Sequence, residues 1–218
     1  MNERVPCLPS RTGGDMGGRG MVARRVVKLG GSLLALADCL PRVKRWLGGQ
    51  PPLPTLLIVG GGAAVEALRA VDRQQPLDDT LAHWLAIAAM TIQGRAVAEG
   101  LKIPFIEWSV WIDSPPGNTC AVLDAWQFLW REEPRLSREP LPASWDVTSD
   151  SIAARAAALS GASLVLLKSC LPTPPHGSAE WSAQGYVDRY FPIAARDVQE
   201  IVAVDLINTD ASEAPMRN

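Results

Sequence analysis

Apolar residues in this chain come in short β-branched or leucine-rich runs, each meeting glycine and then a helix-spaced pattern. The first run is Arg24-Arg25-Val26-Val27-Lys28-Leu29, followed by Gly30-Gly31-Ser32 before apolar positions resume at helical spacing. That order predicts a strand, a tight turn and a helix from Ser32 to about Trp46, interrupted at Pro41. After a turn at Gly48-Gly49-Gln50-Pro51-Pro52 the pattern repeats. Leu56-Leu57-Ile58-Val59 is the continuous apolar run of a strand covered on both faces, and Gly60-Gly61-Gly62 leads into a helix from about Ala63 to Arg73. Two such units in succession predict an α/β fold, a mainly parallel sheet with helices on its faces.

From Thr80 to about Ala98 the residues Leu81, Trp84, Leu85, Ala88, Ile92 and Ala96 trace one helical stripe, while Ile87 and Met90 make the opposite side apolar too. Such a helix either crosses the core or sets one face against a second subunit, so a homodimer is one expectation. Ile103 to Ile106 predicts a strand, and Ser109 to Asp113 another, with Pro115-Pro116-Gly117 as the turn behind it. Ala121 to Arg131 reads as a helix with Leu123, Trp126, Phe128 and Trp130 supplying apolar surface, its tryptophans expected in the core rather than as a ligand platform. Pro134, Pro140 and Pro142 mark the boundary between two lobes of one domain, at about 21–142 and 143–218. Beyond it, Ala153 to Leu159 predicts a helix ended by Gly161, Ser163 to Lys168 a buried strand, and Ile201 to Leu206 a final strand. Residues 1–20, rich in proline and glycine and without periodicity, are expected as a disordered tail, with Met21 as the true start.

Composition narrows the function classes. The 218 residues are ample for a core, and a formal charge of −2 with 20% charged residues argues against a nucleic-acid footprint or a basic membrane patch. No apolar run approaches the ~18 residues of a membrane span, and the opening lacks a signal-peptide core, so a soluble protein is expected. Cys7, Cys39, Cys120 and Cys170 are scattered without a C-x-x-C pair, which speaks against a zinc site or a disulfide framework and for a cytoplasmic location.

The candidate chemistry lies at the glycines. In Lys28-Leu29-Gly30-Gly31-Ser32, two glycines let backbone N–H groups approach a ligand, Ser32 can cap the helix, and the helix N-terminus adds positive charge beside the Lys28 ammonium. This is a phosphate cradle, or else an ordinary turn whose lysine faces water. Gly60-Gly61-Gly62 matches neither G-x-x-x-x-G-K-[ST] nor G-x-G-x-x-G, but both clusters would sit at the carboxyl edge of the sheet, where ligands bind in such folds. Asp150 reads either as a helix-capping acid or as a carboxylate that holds lysine ammonium groups in place. Lys168 is either a solvated strand end or a nucleotide-phosphate ligand. His83, close after Asp78-Asp79, either orients a phosphate or another polar substrate group or merely satisfies local hydrogen bonds, and His176 reads as a surface residue.

Taken together, Lys28-Leu29-Gly30-Gly31-Ser32, Val59-Gly60-Gly61-Gly62 and Thr148-Ser149-Asp150 before an alanine-rich helix resemble the amino-acid kinase superfamily, which includes acetylglutamate, carbamate, aspartate and uridylate kinases and isopentenyl phosphate kinase. Asp79 to Met90, Ser144 to Ser151 and Val187-Asp188-Arg189-Tyr190-Phe191-Pro192 look most like the (aminomethyl)furanmethyl phosphate kinase branch of methanofuran synthesis. The resemblance implies a three-layer α/β/α sandwich and transfer of a phosphoryl group from ATP, with Mg2+, to a small phosphate or carboxylate acceptor. It also implies that Lys28 stabilises the transferring group, that Gly30, Gly31 and Gly61 donate backbone N–H groups, and that Asp150 orients the lysine. The chain departs from the superfamily where many relatives carry Thr/Ser-Asp-Val-Asp-Gly: here Ser169-Cys170-Leu171-Pro172 follows the strand. A later G-x-M-x-x-K lysine is missing as well, and Lys168 is the candidate to replace it. Another kinase of the superfamily and a non-catalytic nucleotide- or anion-binding protein are the competing readings.

Overall fold

One sheet in the order β3-β4-β2-β1-β5-β6-β7 forms the middle layer. Its strands are β1 (Arg25–Leu29), β2 (Thr55–Val59), β3 (Phe105–Ile106), β4 (Cys120–Leu123), β5 (Ser163–Lys168), β6 (Ile201–Asp205) and β7 (Glu213–Pro215). All pair in parallel except β7, which runs antiparallel to β6. The computed structural model describes residues 23–113, 120–174, 177–208 and 213–216. The expected tail, Met21, the turn at 115–117 and His176 lie outside the described residues. Strands from before the proline-marked stretch supply one side of the sheet and strands from after it the other, and they join where β1 pairs with β5.

The strands form where expected because their residues are apolar on both faces. Val26, Leu56, Ile58, Leu164 and Leu166 face one helical layer, in which α7 (Ser149–Ser160) packs alanines against the sheet. Val27, Leu29, Leu57, Val59, Val165 and Leu167 face the other, where α1 (Cys39–Gly48) contributes Val43 and Trp46. The result is the predicted α/β/α sandwich. Gly161 takes the left-handed conformation (φ 63°) that ends α7, as its place after the alanine run predicts.

Several elements differ from the sequence reading. Gly31–Ala35 is a short 3-10 turn and α1 starts afresh at Cys39, so Pro41 falls in a first turn that needs no N–H from it. Trp108–Asp113 is a helix, α4, rather than a strand, because Trp108 and Trp111 lie three residues apart and both point into the core. Conversely, 120–123 is strand rather than helix; Ala121, Val122 and Leu123 are buried between β2 and β3. Helical structure follows only from α5 (Ala125–Gln127), through a π turn at Phe128–Glu132, to α6 (Glu133–Leu136).

Two helices connect β2 to β3: α2 (Gly62–Gln74) and the long α3 (Asp79–Leu101). Of the two apolar sides expected for α3, the stripe of Leu81, Leu85 and Ile92 lies outward, at 50%, 41% and 69% exposed. The buried face carries Ala82, His83, Ile87, Met90, Gly94 and Ala98. A helix apolar all round has no periodicity to choose its face, and small residues decide it: a Cβ at Gly94 would stand 3.2 Å from Phe105 and 3.4 Å from Val122. Trp126 and Trp130, expected in the core, are 39% and 62% exposed and cluster with Trp84 at ring-centroid distances of 5.0 and 5.2 Å. Among the described residues no helix is long and apolar enough to cross a membrane.

Candidate active site

β1, β2 and β5 stop at one edge of the sheet, and their hydrogen bonds run on into the loops. Gly60 donates its N–H to the Leu29 carbonyl and Gly30 donates to the Leu167 carbonyl, each at 3.0 Å. The two glycine clusters predicted separately therefore touch backbone to backbone. A Cβ on Gly31 would lie 2.7 Å from the Gly62 nitrogen, and one on Gly60 only 2.8 Å from the Gly31 nitrogen. Neither neighbour is a flexible side chain, so any larger residue forces the loops apart. Gly60→Ala is expected to lower the melting temperature by several degrees and weaken anion binding at the cleft, both readable by thermal unfolding with and without phosphate.

Ser32 lines the cleft but makes no capping bond; Gly30 holds the N-cap position of the 3-10 turn. Five residues of 3-10 turn supply little axial dipole, so the helix-end field assigned to Ser32 comes instead from α2 and α7, which begin at Gly62 and Ser149 on this same edge.

Three ionised side chains meet behind the loops. Lys28 Nζ lies 2.8 Å from Asp150 Oδ1, and Lys168 Nζ lies 2.9 Å from Asp150 Oδ2. Lys28 and Asp150 are 4% and 5% exposed, so burial governs their charge. Desolvation drives the Lys28 ammonium down to about 8, helped by repulsion from Lys168 and opposed by Asp150. Burial also works against ionisation of Asp150, but the attraction of Lys28 and then Lys168 outweighs it and holds the carboxyl below its ordinary range. Two ammonium groups against one carboxylate leave a positive charge in excess, ready for an anion. Asp150 is the first-turn acid of α7 and the holder of both lysines at once: Thr148 caps the helix, and Asp150 follows two residues later. Lys168 is no solvated strand end, since its ammonium also donates to the Tyr186 carbonyl at 2.6 Å.

Two hollows open on either side of Lys168. The larger, about 600 Å³, has Lys28, Gly31, Ser32 and Gly60 to Gly62 at one end and Val65, Ala86, Ile87 and Met90 along its wall. The second, about 550 Å³, is lined by Asp150, Tyr186, Asp188 and Arg189, while Lys168, Thr148, Trp145 and Arg69 line both. His83 belongs to the wall of the first hollow, with ring Nδ1 at 3.3 Å from the Ser144 carbonyl.

Asp188 is the site residue that sequence reasoning left without a role. Its Oδ2 accepts from Thr148 N (3.0 Å), Thr148 Oγ1 (2.8 Å) and Ser151 N (3.0 Å), and its Oδ1 accepts from Ser151 Oγ and from Tyr190 N (3.1 Å). It thus pins the start of α7, and with it Asp150, to the segment whose Tyr186 carbonyl holds Lys168. Its sequence signal was faint: an acid four residues before a proline, with its partners 37 and 40 positions away. Asp188→Asn turns one acceptor oxygen into a donor facing donors. The expected loss is about 1–3 kcal/mol in a denaturant titration, together with a lower turnover.

No family model matches the sequence, and no curated protein does. Solved structures do. The UMP kinase of Bacillus anthracis superposes with a TM-score of 0.57 at 12% identity, over 83% of this chain and 85% of that one. The uridylate kinase of Archaeoglobus fulgidus gives 0.54 at 14% identity, over 81% and 88%. This chain therefore has the amino-acid kinase fold that the UMP kinases share.

Proposed function

We propose that this protein is an ATP-dependent kinase that phosphorylates a small, already anionic acceptor, and that the acceptor is a furanmethyl phosphate used to build a methanofuran-like one-carbon cofactor. The observation that carries the kinase reading is the Lys28–Asp150–Lys168 cluster at the partition between two hollows, with the paired glycine loops against one of them. An anionic acceptor needs little general-base help. What the reaction needs is two negative groups held in line and the charge between them neutralised.

The residues fit that task. Lys28 faces the first hollow and supplies positive charge where the transferring oxygens would lie; the backbone N–H groups of Gly31 and Gly61 and the N-terminus of α2 are the anion ligands on the acceptor side. Lys168, shared by both hollows, and the N-terminus of α7 are those on the nucleotide side. Mg-ATP would supply the phosphoryl group, with Lys168 and the N-terminus of α7 as the groups that would meet its phosphates. The apolar wall of Val65, Ala86, Ile87 and Met90 suits a compact ring better than a polar pyrimidine, which supports the furan acceptor over a nucleotide.

The test is a screen by ADP release with Mg-ATP and the furanmethyl phosphate, isopentenyl phosphate and UMP, paired with calorimetry of Mg-ATP binding. ADP release that depends on the furanmethyl phosphate is the expected result. Release with UMP alone moves the acceptor assignment to uridylate. Mg-ATP binding without turnover on any acceptor leaves a binding protein, and no Mg-ATP binding removes the kinase reading altogether.

A further inference from the structure

A second place on the molecule gathers hydrogen-bond donors and positive charge. Where α1 lies beside the end of β6, a hollow of about 220 Å³ is lined by Arg42, Arg45, Trp46 and Gln50 on one side and by Asp205 and Asn208 on the other. It shares no lining residue with either hollow of the candidate active site. Trp46 is 7% exposed, and its indole Nε1–H is a buried donor with no hydrogen-bond partner among the described residues. A bound acceptor would remove the cost of leaving that donor unpaired.

The groups around Trp46 are donors as well. Arg25, 6% exposed, sets its guanidinium 5.7 Å from the centre of the Trp46 ring and donates to Thr55 Oγ1, Gln50 Oε1 and the Pro51 carbonyl, none of them charged. The Gln50 oxygen is thereby taken, and its NH2 group is left for the hollow. Among the described residues the Arg45 guanidinium has neither an ion pair nor a hydrogen bond. Two carboxylates stand here, and both are engaged. Asp38 pairs with Arg42 at 2.8 Å, while the buried Asp205 accepts from the N–H groups of Ile207 and Asn208 and from the Asn208 amide. The guanidiniums of Arg25, Arg42 and Arg45 therefore outnumber the carboxylates and leave a positive charge uncompensated. Even the last carbonyls of α1 are occupied, by the N–H groups of Gly49 and Gln50. Donors in excess beside surplus positive charge select an anion. Size narrows the class: drug-sized ligands fill roughly 300–1,000 Å³, so this hollow admits a phosphate or carboxylate group on a few heavy atoms and excludes a nucleotide.

We propose that the hollow between α1 and the end of β6 is a second anion site, separate from the glycine loops, which binds a compact phosphate or carboxylate through Trp46 Nε1–H, the Arg45 guanidinium and the Gln50 amide. Its walls lead to the first site from two directions. Arg42 donates to the Leu206 and Ile207 carbonyls at 3.4 and 2.8 Å, and the Leu206 N–H donates to the Lys168 carbonyl at 2.9 Å. At its other end α1 follows the 3-10 turn whose Ser32 lines the active cleft. An anion held here braces both segments. The binding itself does not depend on the kinase reading.

The test follows the tryptophan indole N–H signals of isotope-labelled protein by NMR during titration with inorganic phosphate or with acetate, chloride holding the ionic strength constant. The Trp46 signal is identified by its loss in Trp46→Phe or Trp46→Tyr. It is expected to move saturably with phosphate, with acetate or with both, and the lower midpoint names the group the site prefers. Arg45→Gln, at an exposed position outside the core, raises that midpoint about tenfold. Lys28→Met, which alters the other anion site, leaves it within about twofold. A Trp46 signal that stays in place with both anions, a midpoint unchanged in Arg45→Gln, or a response abolished in Lys28→Met overturns the second site. Failure of Mg-ATP to bind would remove the kinase reading and leave this titration as it stands.

Discussion

Lys28→Met is expected to reduce kcat by roughly 10²–10³ while leaving the fold intact. The side chain is buried at the end of β1, and methionine matches its length and apolar stem. What disappears is the ammonium facing the glycine loops, which acts on charge that develops only as the phosphoryl group moves, so kcat falls further than acceptor affinity. Asp150 keeps Lys168 at 2.9 Å, so the carboxylate is not stranded and the cost in stability stays small. The wild-type pH profile carries the same signature. Lys28 loses its proton as pH rises through about 8, so kcat/KM falls above that pH. The variant shows no such limb. A profile flat to pH 10 in the wild type, or a variant with full turnover, would remove Lys28 from the role.

Asp150→Asn acts on both lysines at once. The carboxylate is the attraction that keeps the Lys28 proton on; without it, desolvation and repulsion from Lys168 both push the pKa lower. The alkaline limb of the rate profile then moves below pH 8, and at neutral pH the rate falls by roughly 10² because Lys28 is largely neutral. Stability falls too, by up to about 3–5 kcal/mol, since the buried Lys28 must give up its proton and the partly buried Lys168 ammonium loses its counter-charge. The sign of its pH dependence follows from linkage. A lysine whose folded pKa lies below its unfolded value binds fewer protons when folded, so stability rises with pH between the two values. In wild type that window opens at about 8 and closes at 10.5, and in Asp150→Asn it opens lower. The deficit of the variant is therefore largest in acid and shrinks toward pH 9, as denaturant midpoints at pH 6, 7.5 and 9 would show. A deficit that grows with pH would mean that Asp150 does not govern the charge of Lys28.

Lys28 and Asp150 stand at element ends that the local pattern marks, which is why both can be singled out from the sequence; Gly30, expected to donate its N–H to a ligand, spends it on the Leu167 carbonyl instead. Asp188 was not legible there, because its ligands are the N–H and hydroxyl groups of Thr148 and Ser151, on a different element. The direction of α3 was hidden for a related reason: with apolar residues all round, only the close approach at Gly94 says which face is inside. The exchange of helix and strand across 108–123 has the same origin. A short apolar run carries no period, and pairing with β2 and β3 decides it.

What the sequence determined by itself is the order of strand, glycine and helix, and hence a parallel sheet with its chemistry at the carboxyl edge. Strand and turn propensities act within a few residues, so they are written locally. What only the tertiary structure decided is which of those residues share a charge. Lys28, Asp150 and Lys168 are distant in the chain, yet parallel pairing of β1 with β5 brings the two strand ends together under the first turn of α7. Burial then makes one carboxylate the counterion of two lysines, because in a desolvated site a charge keeps its proton state only through the partners that touch it.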